Sequence, residues 1–180
     1  MSLLLNVGCG SRFFGKDWVH IDGGDYKHLD SKDVFLRDYE SSTASLIYCS
    51  HMIEYFDREE VADILSCFMR VLKPGGIFRL AVPDFEAMTR LYHEKGYPIE
   101  KFLGPLYGKM VMDESLIYHK TVYDFKSIQH VLQAAGFKDV EKYDWRNTRH
   151  CMHDDHSQAY IPHMDKENGT LISLNVECKK

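Results

Sequence analysis

The sequence predicts an α/β domain on a Rossmann-like, mostly parallel sheet of about seven strands with an antiparallel last strand. Two observations predict it. Short apolar runs ending in small or acidic residues come first, and from residue 57 onward such runs alternate with stretches of helical period. The composition agrees: 44% hydrophobic and 27% charged residues over 180 positions are globular values and allow a sizeable core. One domain over residues 1–180 is the expectation.

Leu3-Leu4-Leu5-Asn6-Val7 is a short apolar run closed by Gly8-Cys9-Gly10, the pattern of a strand buried on both faces. Trp18 to Asp22, Val34 to Asp38 and Ser45 to Ser50 read as the next three strands. Only residues 11–17 and 23–33 separate the first three. A crossover helix needs about a dozen residues, so the helices there are expected to be reduced. Asp57 with Glu60 forms a capping-box pattern, and Val61, Ile64, Leu65, Phe68 and Leu72 recur at helical spacing until Pro74-Gly75-Gly76. Ile77 to Val82 is a strand. Phe85, Met88, Leu91 and Tyr92 mark a helix ending near Gly96.

Residues 97–121 lack a dominant period and read as a lid or insertion with short helical pieces. A helix follows from Asp124 to Ala135, then strands at Val140 to Trp145 and Thr170 to Cys178, with an irregular segment at 146–169.

Composition narrows the partners. A net charge of −5 leaves no basic stripe for phosphates, so nucleic acid is not expected. No apolar run reaches the ~20 residues of a membrane span, and the first residues lack a basic leader pattern. The five cysteines form no CxxC pair and read as reduced thiols, hence a cytoplasmic setting.

The chemistry-bearing residues lie at strand ends. Gly8 and Gly10 allow a ligand close to the backbone at the carboxyl edge of the first strand. A dinucleotide fingerprint would need a third glycine where Phe13 stands, which disfavours nicotinamide cofactors. Asp22 at the end of the second strand suits the two hydroxyls of a ribose, and Asp38 suits an adenine amine or a solvated turn.

These stretches resemble a known family. Leu5 to Gly10 and Trp18 to Asp22 are similar to the first two motifs of class I S-adenosylmethionine-dependent methyltransferases. Ile47 to Phe56 resembles their fourth-strand motif, and Val71 to Gly76 with Val82-Pro83-Asp84 is the most specific match. The chain looks like the small type 11-like group, over roughly residues 2–145. The resemblance implies S-adenosylmethionine as cofactor. It places Asn6, Gly8, Cys9 and Gly10 at the methionyl part, Asp22 and Gly23 at the ribose, Asp38 and Tyr39 at the adenine, and Ser50 and His51 beside the reacting methyl. Asn6 departs from the usual acidic residue, and Arg12 stands where many members have glycine.

Candidate bases are His51, His119 and Asp84; Asp84 after Pro83 reads better as a helix cap. The fourth strand lacks an Asn/Asp-Pro-Pro-aromatic sequence, which disfavours nucleobases and glutamine as acceptors in family terms. The expected activity is methyl transfer to an oxygen or nitrogen of a small molecule or saccharide. The alternative is a non-catalytic protein that binds S-adenosylmethionine or S-adenosylhomocysteine, or that supports a partner. His150, His153, His156 and His163, with Cys151, Asp154 and Asp155, contain metal-ligating types. Their H-x2-H-x2-H spacing rotates by about 60° per step on a helix, so no metal is expected.

Overall fold

The computed structural model describes residues 3–112 and 114–180. Its central sheet has six strands in the order β2-β1-β3-β4-β10-β7. These are β1 (Leu3–Val7), β2 (Val19–Ile21), β3 (Ala44–Ser50), β4 (Leu72–Pro83), β7 (Lys138–Lys142) and β10 (Ser173–Lys179). The first four run parallel, and β10 is antiparallel to both β4 and β7. This is the expected sheet with its reversed last strand.

Side-chain alternation sorts the two faces. Leu5, Val7, Ile47, Cys49, Phe78, Leu80 and Val82 share one apolar core with Val61, Ile64, Leu65 and Phe68 of α1 (Arg58–Val71) and Ile128 and Leu132 of α4 (Phe125–Ala134). Glu60 accepts from the Asp57 N–H at 2.8 Å, as the capping pattern requires. Both helices cover this one face.

The opposite face carries Phe14, Trp18, Leu46 and Tyr48. It is roofed by the irregular stretch 146–169, not by a helix. His150 stacks on Phe14 and Tyr48, the Tyr48 hydroxyl donates to Asp155 at 2.6 Å, and Asn175 Nδ2 donates to the Ser157 carbonyl at 2.9 Å. The histidine-rich segment is thus a strap: its rings fill the layer that a crossover helix would otherwise supply.

Helix α2 (Phe85–Lys95) begins at Asp84, whose Oδ1 accepts from the Ala87 N–H, and ends at Gly96 in the left-handed region. The lid contains α3 (Leu103–Tyr107) and the hairpin β5 (Met110–Met112) and β6 (Ser115–Ile117). A smaller ribbon pairs β8 (Tyr160–Ile161) with β9 (Thr170–Leu171).

Two expectations are corrected. Val34 to Asp38 forms successive turns and not a strand. Asp33 accepts from the Phe35 and Arg37 N–H groups, and the Arg70 guanidinium donates to the carbonyls of Leu36 and Tyr39. Those contacts use the backbone groups that a strand ladder would need; on the outer side of β2 the described residues pair through the isolated bridge Ile21–Ser31. The strand expected through Trp145 ends at Lys142, and Trp145 starts a short 3₁₀ turn capped by Asp144. The reduced helices are as expected: no helix lies between β1 and β3 among the described residues.

Candidate cofactor and catalytic site

The carboxyl edge of β1, β2 and β3 gathers most of the sequence candidates. The chain leaves β1 in a turn with Gly8 and Gly10 at φ of +75° and +56°. A side chain at Gly8 would place its Cβ 2.6 Å from that of Met52, so glycine is required there for both conformation and space. The Gly8 and Cys9 N–H groups donate to the Ile21 carbonyl, which ties this turn to β2.

Asp22 sits between two glycine turns. Its Oδ2 accepts from the Gly10 N–H and its Oδ1 from the Gly24 N–H, each at 2.8 Å. An ionised carboxylate offers about four acceptor positions, so two remain for a ligand's hydroxyls. Gly23 lies beside it, with Met112 of the lid hairpin packed against it. Cys9 is buried, its thiol pushed up to about 12 by burial and by the charge of Asp22. It is an inert neutral wall.

Asn6, Gly8, Cys9, Arg12, Phe14, Ser50 and Asp155 line a small cavity of about 10 Å³ beside this turn. It holds about one water. Asn6 Nδ2 and Ser50 Oγ are buried without a hydrogen-bond partner. Buried polar atoms normally have one, and both of these residues line the small cavity. Arg12 closes the outer wall by donating from Nε to the Asp154 carbonyl.

A second cavity, about 230 Å³, lies next to Asp22 between Gly24, Asp25 and Tyr26 on one side and Met110, Val111 and Met112 on the other. Asp38 and Tyr39 are elsewhere. Their segment is tied to Arg70 in the last turn of α1, next to the start of β4 and hence at the sheet's amino edge. The turns that replace the third strand carry these residues away from the glycine loop.

His51 follows β3 with a left-handed φ of +51°, unusual for a side chain of its size. Its Nδ1 lies 3.3 Å from Oε1 of Glu54, and its Nε2 lies 3.0 Å from Ser173 Oγ. His119, at the end of the lid, places Nε2 3.8 Å from the same Glu54 oxygen and Nδ1 3.0 Å from the Pro105 carbonyl. Burial lowers the pKa of both histidines and raises Glu54 to about 8. The two sequence candidates therefore meet on a carboxyl that sequence reasoning missed. The available signal was position: Glu54 stands three residues after His51, within one turn of chain.

Comparison with known proteins agrees with this geometry. The family described as "Methyltransferase domain" matches residues 16–80. No curated protein matches the sequence. Among solved structures, a S-adenosylmethionine-dependent methyltransferase from Thermotoga maritima superposes with a TM-score of 0.62 at 11% identity, over 100% of this chain and 83% of that one. Another from Archaeoglobus fulgidus gives 0.60 at 13% identity, over 99% and 86%. The 1,6-didemethyltoxoflavin-N1-methyltransferase of Burkholderia thailandensis, solved with its substrate and S-adenosylhomocysteine, gives 0.56 at 12% identity, over 99% and 71%. At such identities the structural likeness speaks for the fold. The family match covers residues 16–80, and over the rest of the chain the likeness to S-adenosylmethionine-dependent methyltransferases is one of fold. S-adenosylmethionine is the cofactor named for these neighbours, and the unpaired Asn6 and Ser50 groups with the free acceptor positions of Asp22 fit that molecule's polar ends.

Proposed function

We propose that the protein transfers the methyl group of S-adenosylmethionine to an oxygen or nitrogen of a small molecule or saccharide. The observation that carries this is the adjacency of the left-handed glycine turn, the Asp22 carboxylate and the orphaned Asn6 and Ser50 groups at one sheet edge. The chain's charge of −5 favours an uncharged or cationic acceptor over a polyanion.

In this reading Asp22 and Gly23 hold the ribose, and Asn6, Gly8, Cys9, Gly10 and Ser50 line the methionyl part. The adenine moves from Asp38 and Tyr39 to the cavity under the lid hairpin, where Tyr26 and Met112 offer a ring and a thioether wall. The small cavity enlarges when Arg12 leaves the Asp154 carbonyl. The bound cofactor supplies an activated sulfonium methyl. The protein then aligns the acceptor and excludes water with the lid.

Ser50→Ala tests the site cleanly. Its hydroxyl has no partner in the folded chain, so the variant should keep its stability while binding S-adenosylmethionine roughly fivefold more weakly, an effect of about 1 kcal/mol. Calorimetry reads the affinity, and unchanged binding overturns the placement. Release of S-adenosylhomocysteine across a panel of hydroxyl and amine acceptors tests turnover; binding without any turnover favours the non-catalytic alternative.

A further inference from the structure

The hydrogen-bond pattern around Glu54 fixes where a proton sits. Asn175 Nδ2 donates to the Ser157 carbonyl, so its Oδ1 is the atom that faces Ser173. Ser173 must then donate its hydroxyl hydrogen to that Oδ1 at 3.0 Å. The Ser173 oxygen is left to accept, so the ring atom opposite it, His51 Nε2, carries hydrogen. Burial keeps the ring neutral, so His51 Nδ1 is the bare nitrogen, 3.3 Å from Glu54 Oε1.

The second ring is fixed in the same way. A carbonyl only accepts, so His119 Nδ1 carries hydrogen toward Pro105 and its Nε2 is bare. That lone pair also faces Glu54 Oε1. A bare carboxylate would put charge and lone pairs against two further lone pairs in a fully buried space. The Glu54 carboxyl oxygens have no donor from elsewhere among the described residues.

We propose that Glu54, fully buried with no donor on either carboxyl oxygen, is protonated at neutral pH and sits as a neutral carboxyl between His51 and His119, acting as the positioning residue that latches the lid to the end of β3. It touches no reacting atom. Its proton joins the strand that carries Ser50 and His51 to the segment that covers the cofactor edge. Around the same point, Lys120 and Thr121 donate their N–H groups to the Glu54 carbonyl, and Tyr55 donates to the Gly108 carbonyl at 2.5 Å. The His119 ring lies so close over Gly108 that no side chain fits there.

Ionisable neighbours face this site from each packed element. Cys49 and His51 face Glu54 from β3, Tyr55 from the turn after it, His119 from the lid, and Tyr123 from the stretch leading into α4. His156 of the strap, by ring and carbonyl, and Arg12 face His51. None is a cation on the carboxyl itself. Burial raises the Glu54 carboxyl to about 8, in line with a proton held through neutrality.

The inference rests on the methyltransferase reading only for what the lid covers; the proton is testable on the ligand-free chain. Infrared spectra with labelled glutamate should show a protonated carboxyl at pH 7 that is absent in Glu54→Gln and vanishes in wild type above about pH 8. Nitrogen spectra should show His51 protonated on Nε2 alone and His119 on Nδ1 alone. A carboxylate at Glu54 with an imidazolium at either ring overturns the proposal, whatever the fate of the methyltransferase reading.

The latch has its own readout. Hydrogen exchange over residues 97–121, corrected for intrinsic rates, should lose about fivefold protection from pH 7 to 8 in wild type and level off above pH 8. Glu54→Gln, which keeps a neutral donor, should show no such loss. Equal losses in both proteins overturn the latch.

Discussion

A carboxylate that accepts two backbone N–H groups is already part of the architecture before any ligand arrives, and Asp22 is in that position. Asp22→Ala should therefore act twice. Leaving the Gly10 and Gly24 N–H groups unpaired costs about 1–3 kcal/mol each if neither finds water, and the ribose loses its acceptor as well. Denaturant midpoints and cofactor calorimetry, run on the same preparation, separate the two effects, with Ser50→Ala as the variant that touches binding alone. Gly8→Ala is predicted to cost about 1–3 kcal/mol in unfolding free energy, because its Cβ meets Met52 and its φ of +75° disfavours a side chain. Met52→Ala in the same chain should recover only the steric part. These residue roles were legible because glycine and aspartate at strand ends have few alternative uses. Glu54 was not legible, because its partners come from β3 and a lid 65 residues further on.

At the scale of elements, the strap roofs the second face of the sheet. The periodic stretches α1 and α4 were readable since one apolar stripe faces the sheet, and α2 since its stripe packs on Phe102, Ile161 and Ile172. The strap was not, because it has no period and its apolar partners, Phe14, Trp18 and Tyr48, lie more than a hundred residues earlier in the chain or nearly so. Its anchoring can be tested. Tyr48→Phe removes the donor to the buried Asp155 and should cost about 1–3 kcal/mol. Proteolysis should then cut first between residues 148 and 159, while α1 and α4 stay protected; uniform loss of protection would show that the strap is not a separable unit. The missing third strand belongs to this scale too. A short apolar run ending in an acidic residue predicted Val34 to Asp38 as a strand, but Asp33 and Arg70 capture its backbone groups in turns.

For the whole molecule, buried titratable groups set opposite pH limits. His150 is buried among aromatic rings, and desolvation lowers it to about 3. It is neutral when folded, while the unfolded chain takes up a proton near pH 6.5. Its contribution to stability is therefore complete above pH 6.5 and is lost progressively as pH falls toward 3, by about 2 kcal/mol at pH 5. His20, His51, His119 and His156 are lowered in the same sense and deepen the acid limb. Glu54 works the other way. Its raised carboxyl contributes fully below its ordinary value of 4.5 and loses that contribution as pH rises to about 8. Urea midpoints should peak near neutrality, Glu54→Gln should flatten the alkaline side, and His150→Phe should blunt the acid side. A profile unmoved by either substitution would assign the titration to other groups.

From residues alone came the parallel sheet with its reversed last strand, the three longer helices, the shortened early crossovers and the glycine–aspartate edge. Each of these depends on local patterning or on residue types that tolerate one backbone conformation. Only the tertiary structure decided that Asp38 and Tyr39 lie at the other end of the sheet, that a histidine-rich strap roofs the second face, and that His51 and His119 converge on Glu54. These are meetings of distant segments in a space without water, where hydrogen-bond satisfaction and desolvation choose among arrangements that a one-dimensional pattern leaves equal.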